Sequence, residues 1–118
     1  MSAKEFSLHP TGDTVLLEAA SIAPTGVQVS NDDPQGANRH ADCYQFYNSG
    51  DETAYLSWGP TAALAQSQSV IPTAGTNQKV IPVPSGAVVV YRLGLSKFIS
   101  GITASATCNV YITPGEGL

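Results

Sequence analysis

Residues 43–58 read CYQFYNSGDETAYLSW, and this stretch decides the fold class. Two short runs, Tyr44-Gln45-Phe46-Tyr47 and Ala54-Tyr55-Leu56-Ser57-Trp58, flank Asn48-Ser49-Gly50-Asp51-Glu52. Aromatic residues suit the pleated, half-buried surface of a strand, whereas Asn, Ser, Gly and Asp suit turns. The pattern predicts a β-hairpin. Tyr44, Tyr47, Tyr55 and Trp58 all lie here, out of five tyrosines and one tryptophan in the chain. The hairpin is therefore expected to anchor the core.

Downstream, Gly59-Pro60 ends the second run, and residues 61–69 (TAALAQSQS) read as a helical turn or an Ala-rich loop. Val70-Ile71 and residues 78–83 (QKVIPV) read as a further strand pair around residues 72–77. Pro72, Pro82 and Pro84 lack a backbone donor, which puts these strands at a sheet edge or interrupts them. Residues 86–93 (GAVVVYRL) form the strongest strand signal, apolar on both faces, and a central position is expected for it. In residues 97–103 (KFISGIT) Gly101 is a candidate bulge. Residues 106–113 (ATCNVYIT) alternate, with Cys108, Val110 and Ile112 on one face and Thr107, Asn109, Tyr111 and Thr113 on the other.

Upstream, residues 31–40 (NDDPQGANRH) are polar, aperiodic and rich in turn formers, hence a surface loop. Residues 14–20 (TVLLEAA) and 27–30 (VQVS) are strand candidates on either side of a turn at residues 23–26 (APTG). Residues 1–12 look like an arm, in which Phe6 and Leu8 alternate with polar neighbours. Such an arm crosses onto a neighbouring subunit or forms an edge strand of its own domain.

Seven to nine short strands with Gly/Pro turns between them, and no sustained 3.6-residue period, predict an all-β antiparallel sandwich or barrel. A jelly-roll-like β-sandwich over residues 13–118, preceded by the N-terminal arm of residues 1–12, is the expected architecture. An immunoglobulin arrangement needs two core cysteines flanking a tryptophan. Trp58 does lie between Cys43 and Cys108, but alternation turns Cys43 away from the Tyr44/Phe46 face. Two unpaired thiols behaving as small hydrophobes are expected.

A chain of 118 residues suits one domain. Charged residues make up 12%, about half the usual share, so hydroxyls and amides dominate the surface. With a net charge of −4 and five Lys and Arg, there is no cation cluster to displace counterions from nucleic acid. Residues 1–5 lead into no apolar signal segment, and no run is long enough to span a bilayer as a helix. Synthesis in a cytoplasm, no nucleic-acid binding and no membrane contact are the expectations.

Catalytic constellations are weak. His40 with Asp42 and a serine could suggest a triad, yet no serine sits in a G-x-S-x-G elbow. Asp32, Asp33, His40 and Asp42 could suggest an oxygen-rich metal site, but the regular ligand spacing of a calcium loop and its closing bidentate acid are missing. Asp51 and Glu52 are adjacent at a turn rather than opposed across a cleft as glycoside hydrolysis requires, so a solubilising role is expected. Gly115-Glu116-Gly117 precedes no helix that could complete a phosphate loop. No enzyme activity, cofactor or metal is expected. Tyr47, Tyr55, Trp58 and Tyr111 remain open between core, protein interface and sugar-stacking platform.

Three groups of residues carry a resemblance: Tyr47-Asn48-Ser49-Gly50 with Thr53 to Gly59, Pro84-Ser85-Gly86 before the Val-rich strand, and Asn109 to Gly117. In pattern and composition residues 44–118 resemble small tailed-bacteriophage head decoration, or cement, proteins. The resemblance implies a compact, non-enzymatic β-sandwich bound in many copies to the phage major capsid protein on the capsid exterior. It also implies synthesis in the bacterial host cytoplasm. Self-association as a homo-dimer or homo-trimer around a capsid symmetry axis is expected. Phe6, Leu8, Arg39, His40, Tyr47 and Trp58 are the candidate partner-binding residues. The alternative is a carbohydrate- or receptor-binding β-sandwich module of a phage tail or fibre.

Overall fold

The computed structural model describes residues 9–10, 13–29, 43–93 and 98–116. Nine strands run in the order β1 (His9–Pro10), β2 (Val15–Ala19), β3 (Val27–Gln28), β4 (Cys43–Asn48), β5 (Ala54–Gly59), β6 (Ile81–Val83), β7 (Val88–Arg92), β8 (Phe98–Ile102) and β9 (Cys108–Glu116). Among the described residues one short helix, α1 (Ala62–Ser67), lies between β5 and β6. Thr61 caps it, its hydroxyl accepting from the Leu64 amide.

The pairing follows one rule. β5 pairs with β6, β4 with β7, β3 with β8 and β2 with β9, all antiparallel. The chain is thus a nested hairpin centred between β5 and β6. Rolling it up adds the β4–β9 and β5–β8 ladders. The products are a five-stranded sheet (β1 and β2 on β9, then β4, then β7) and a four-stranded sheet in the order β3-β8-β5-β6. This is the jelly-roll order, and the all-β sandwich expected from the sequence is the observed fold.

Leu17 and Ala19 (β2), Tyr44 and Phe46 (β4), Leu56 (β5), Val83 (β6), Ile99 (β8), and Cys108, Val110 and Ile112 (β9) fill the space between the sheets, all essentially inaccessible to solvent. Period-2 alternation put each of these on one face of its strand, so β2, β4, β5, β6, β8 and β9 contribute their apolar faces to a single core. Cys43 and Cys108 are both buried and are not joined in a disulfide. Cys43 lies opposite Gly115, seven residues along β9 from Cys108, a span of about 24 Å that no disulfide crosses.

Four expectations need correction. The stretch at residues 43–58 is not a hairpin, because β4 and β5 belong to different sheets. The five residues between them carry the chain across the sandwich as an arch. Asn48, wholly buried, fixes that crossing: its side-chain amide donates to the Glu52 carbonyl (2.7 Å) and the Val83 carbonyl (2.8 Å), and its Oδ1 accepts from the Gly50 amide (2.9 Å). Its backbone bonds Gly86 and Ala87 as well, so the arch and the β6–β7 turn share one polar hub.

The Val-rich strand β7 is an edge strand rather than a central one. Val70-Ile71 forms no strand, and the partner of β6 is β5, across residues 60–80. Pro82 is tolerated because β6 closes the edge of its sheet, as its missing donor predicts. Finally, Gly101 is not a bulge, since the β5–β8 register runs unbroken through it. A Cβ at position 101 would lie 2.7 Å from Leu56 Cδ2 and 3.2 Å from the Ala19 Cβ, so close packing of the two sheets excludes a side chain there.

Of the N-terminal arm, His9–Pro10 pairs with Glu116 and Gly115 of its own domain. The remainder of the arm, including Phe6 and Leu8, lies outside the described residues.

Candidate functional site on the outer face of the five-stranded sheet

The two outer faces of the sandwich differ. On the four-stranded sheet, α1 and the segment before β3 cover the outward side chains. Ser57 donates to the Ala65 carbonyl (2.5 Å) and hydrogen bonds with Ser69; Ser100 donates to the Pro24 carbonyl (2.7 Å). The amide of Gln66 reaches the Ala23 carbonyl at 3.0 Å. Ser57, Ser69 and Ser100 are buried beneath this cover with their hydroxyls satisfied, as buried polar groups require.

The five-stranded sheet has no such cover among the described residues. Here the register lines up outward-facing residues strand by strand: Leu16 opposite Tyr111, Tyr111 opposite Tyr47, and Tyr47 opposite Val88. Their exposures are 43%, 38%, 40% and 45% in that order. Four large apolar side chains therefore form an exposed band straight across β2, β9, β4 and β7, about 14 Å long at the usual strand spacing. In its middle the rings of Tyr47 and Tyr111 stack, with centroids 6.1 Å apart and planes 19° from parallel.

A polar row borders the band. Thr113 faces Gln45, and Gln45 faces Val90; Thr14 extends this row through a 2.8 Å hydroxyl contact with Thr113. On the other side lie Glu18 and Asn109, directly opposite each other. The band itself carries no charge. Such a stripe, apolar in the middle with a hydroxyl and amide rim, has the makeup of a protein-docking patch.

Of the sequence-predicted contact residues, Tyr47 lies in this band. Trp58 does not join it: it sits on the other sheet, half-buried and packed against the core. Phe6, Leu8, Arg39 and His40 lie outside the described residues. Tyr111 was readable as outward-facing from the alternation of its strand. Leu16 and Val88 were hidden because each sits beside an apolar residue of the opposite face, Leu17 and Val89, which erases the period-2 signal.

The arch carries the other polar feature. Asp51 is exposed at its tip, but Glu52 is a clamp rather than a solubilising residue. Its carboxylate accepts from the Ser105 and Ala106 amides, both at 3.1 Å, and from the Ser105 hydroxyl. The Ser105 hydroxyl, with the loop amides, holds the Glu52 carboxyl below its ordinary value of 4.5. The clamp ties the β4–β5 arch to the β8–β9 loop.

Among the described residues no three His, Cys, Asp or Glu side chains gather as a metal site, and no helix is long and apolar enough to cross a membrane. Compared with known proteins, the chain matches no family model, no curated protein and no solved structure.

Proposed function

We propose that this chain is a non-catalytic structural protein that docks on a protein shell through the outer face of its five-stranded sheet. The single observation that carries the reading is the uncharged, exposed band Leu16–Tyr111–Tyr47–Val88, which no described segment covers while the opposite outer face is covered. Together with the resemblance of residues 44–118 to phage decoration proteins, it makes the major capsid protein of a tailed bacteriophage the proposed partner, bridged from the capsid exterior.

Rigid aromatic anchors lose little side-chain entropy on docking and supply most of the area, while the Thr and Gln rim seals the edge. A specific interface of this kind buries on the order of 1,200–2,000 Å² in total. Copies repeated over a shell then stabilise it by mass action, provided that they bind the assembled state and not free subunits. No group in the band needs to do chemistry for this.

The test is co-sedimentation with capsids that lack the protein. Saturable binding at a fixed ratio to the major capsid protein, with a raised capsid melting temperature, supports the reading. Protein left wholly in the supernatant would falsify it. The second reading, a sugar-binding module, draws on the same Tyr47–Tyr111 pair with Gln45, Asn109 and Thr113 around it, since ring faces stack on sugar C–H surfaces. The aliphatic ends of the band, Leu16 and Val88, favour a protein partner. A glycan array separates the two, because only the sugar module captures a glycan without a shell.

A further inference from the structure

The edges of the two sheets are not equivalent. Strand β3 has two residues, and β6 has three with Pro82 in the middle. On the far side of the five-stranded sheet, β1 has two residues including Pro10, and β2 carries exposed Glu18. Just beyond β2, Ala20 bridges to Ile102 of the other sheet, which closes that corner. Short length, proline and outward charge are the devices that keep an edge from pairing with another chain.

Strand β7 has none of them between Val88 and Tyr91. It is five residues long, its register with β4 runs without a bulge, and no described strand pairs with its outer side. Val88, Val90 and Tyr91 are all exposed on it. A solvent-facing, apolar, unblunted edge of this kind is a template for strand addition.

We infer that β7 pairs antiparallel with β7 of a second copy, about a two-fold axis through Val90, joining two five-stranded sheets into one continuous sheet. The strand is self-complementary in this register. On the outer face Val90 meets Val90 of the second copy, and Val88 meets Arg92, whose methylene stem can lie along the valine. On the core side Val89 meets Tyr91, a β-branched residue beside an aromatic ring, which is a favourable cross-strand pair. The one charge on the strand never faces its own copy, so pairing brings no like charges together.

This symmetry keeps the outer faces on the same side. The dimer would present two apolar bands in one plane, with their Val88 ends towards the junction. Two bands on one rigid body bind a repetitive surface more tightly than either alone, through effective concentration. That last step rests on the shell-docking reading; the dimer itself does not. Five residues on each side are fewer than the roughly 20–30 per side of a standard interface. Association is therefore expected to be concentration-dependent.

Sedimentation velocity of the free chain, from low micromolar to submillimolar concentration, tests the dimer without any capsid. The expected result is a monomer–dimer equilibrium, shifted at least tenfold towards monomer by Val90→Lys, which sets two ammonium groups opposite each other. Circular dichroism checks that the variant keeps its fold. Hydrogen exchange on the unaltered chain gives a second readout, with protection of the Val88–Tyr91 amides rising with concentration. A monomer throughout the range, a Val90→Lys variant that dimerises like the parent, or concentration-independent exchange in β7 each overturns the inference. Failure of capsid binding with the dimer intact instead overturns the shell-docking reading alone.

Discussion

Tyr47 on β4 and Tyr111 on β9 face each other across the ladder on the open side of the sandwich, their rings stacked at 6.1 Å. Neither ring is needed to fill the core, since Tyr44, Phe46, Val110 and Ile112 point inward from the same two strands. An aromatic pair left in water contributes little to folding. Replacing either ring by alanine is expected to cost only about 0.5–1.5 kcal/mol of stability, measured by denaturant unfolding. The same change should abolish shell binding in co-sedimentation. A variant that binds normally would move the docking surface elsewhere.

Asn48 presents the opposite balance, since it is wholly buried and holds three segments together. Truncation to alanine removes two donated hydrogen bonds, depriving the Val83 carbonyl of this donor in a buried site and leaving the half-buried Glu52 carbonyl with the longer Cys108 thiol contact. The expected loss is about 2–4 kcal/mol. Asn48→Asp should be worse, because a carboxylate would face those two carbonyl oxygens without a proton to give. Urea unfolding of the three proteins ranks them, and equal stability of the Asn and Asp forms would refute the hub.

Gly101 lies where the sheets come closest. An alanine there meets Leu56 Cδ2 at 2.7 Å and the Ala19 Cβ at 3.2 Å. Overpacking of about 1–3 kcal/mol is expected for Gly101→Ala, despite its gain in strand propensity. The companion change Leu56→Val should restore part of that loss by withdrawing the contacting methyl. Thermal melts of the single and double variants check the compensation.

Glu52 sets an acid limit. Its pKa is lowered in the folded chain by hydrogen bonds to its charged form, first from the Ser105 hydroxyl. A group lowered on folding contributes stability above its unfolded value and loses it as pH falls through the folded value. The contribution is therefore present at neutral pH and fades below about pH 4.5, the ordinary carboxyl value. Glu52→Gln should destabilise the protein at pH 7 and converge with the parent in acid. Parallel curves over that window would exclude the clamp.

Much of the fold was legible. Alternation in residues 106–113 placed Cys108, Val110 and Ile112 in the core and Tyr111 outside it, and Pro82 marked an edge. What could not be read was how far each turn carries the chain. Asn48-Ser49-Gly50 has the same turn chemistry whether the next strand pairs alongside or crosses to the other sheet. The deciding bond, Asn48 to the Val83 carbonyl, spans thirty-five residues. The apolar run in β7 misled for a related reason: hydrophobicity on both faces reports burial on both faces only if nothing but the core selects it. An edge that meets another chain has the same composition. The candidate site was legible in Tyr47 and, through alternation, in the outward direction of Tyr111; Leu16 and Val88 come from two further strands, and register alone unites the four.

The nested pairing also sets the sequence of events as the chain is made. The four-stranded sheet needs no strand beyond Ile102, so its pairing does not wait for the residues that follow. The five-stranded sheet cannot, because β9 lies between β2 and β4 and is the last of the nine strands to be synthesised. Until Cys108–Glu116 arrives, β2 with its Leu17 has no partner strand in its sheet and β4 with Tyr44 and Phe46 is paired on one side only, by β7, and pairing contacts far apart in sequence is slow. A chain truncated before residue 108 would thus hold every strand of one sheet and a sticky, open half of the other, the state in which a chaperone has most to cover.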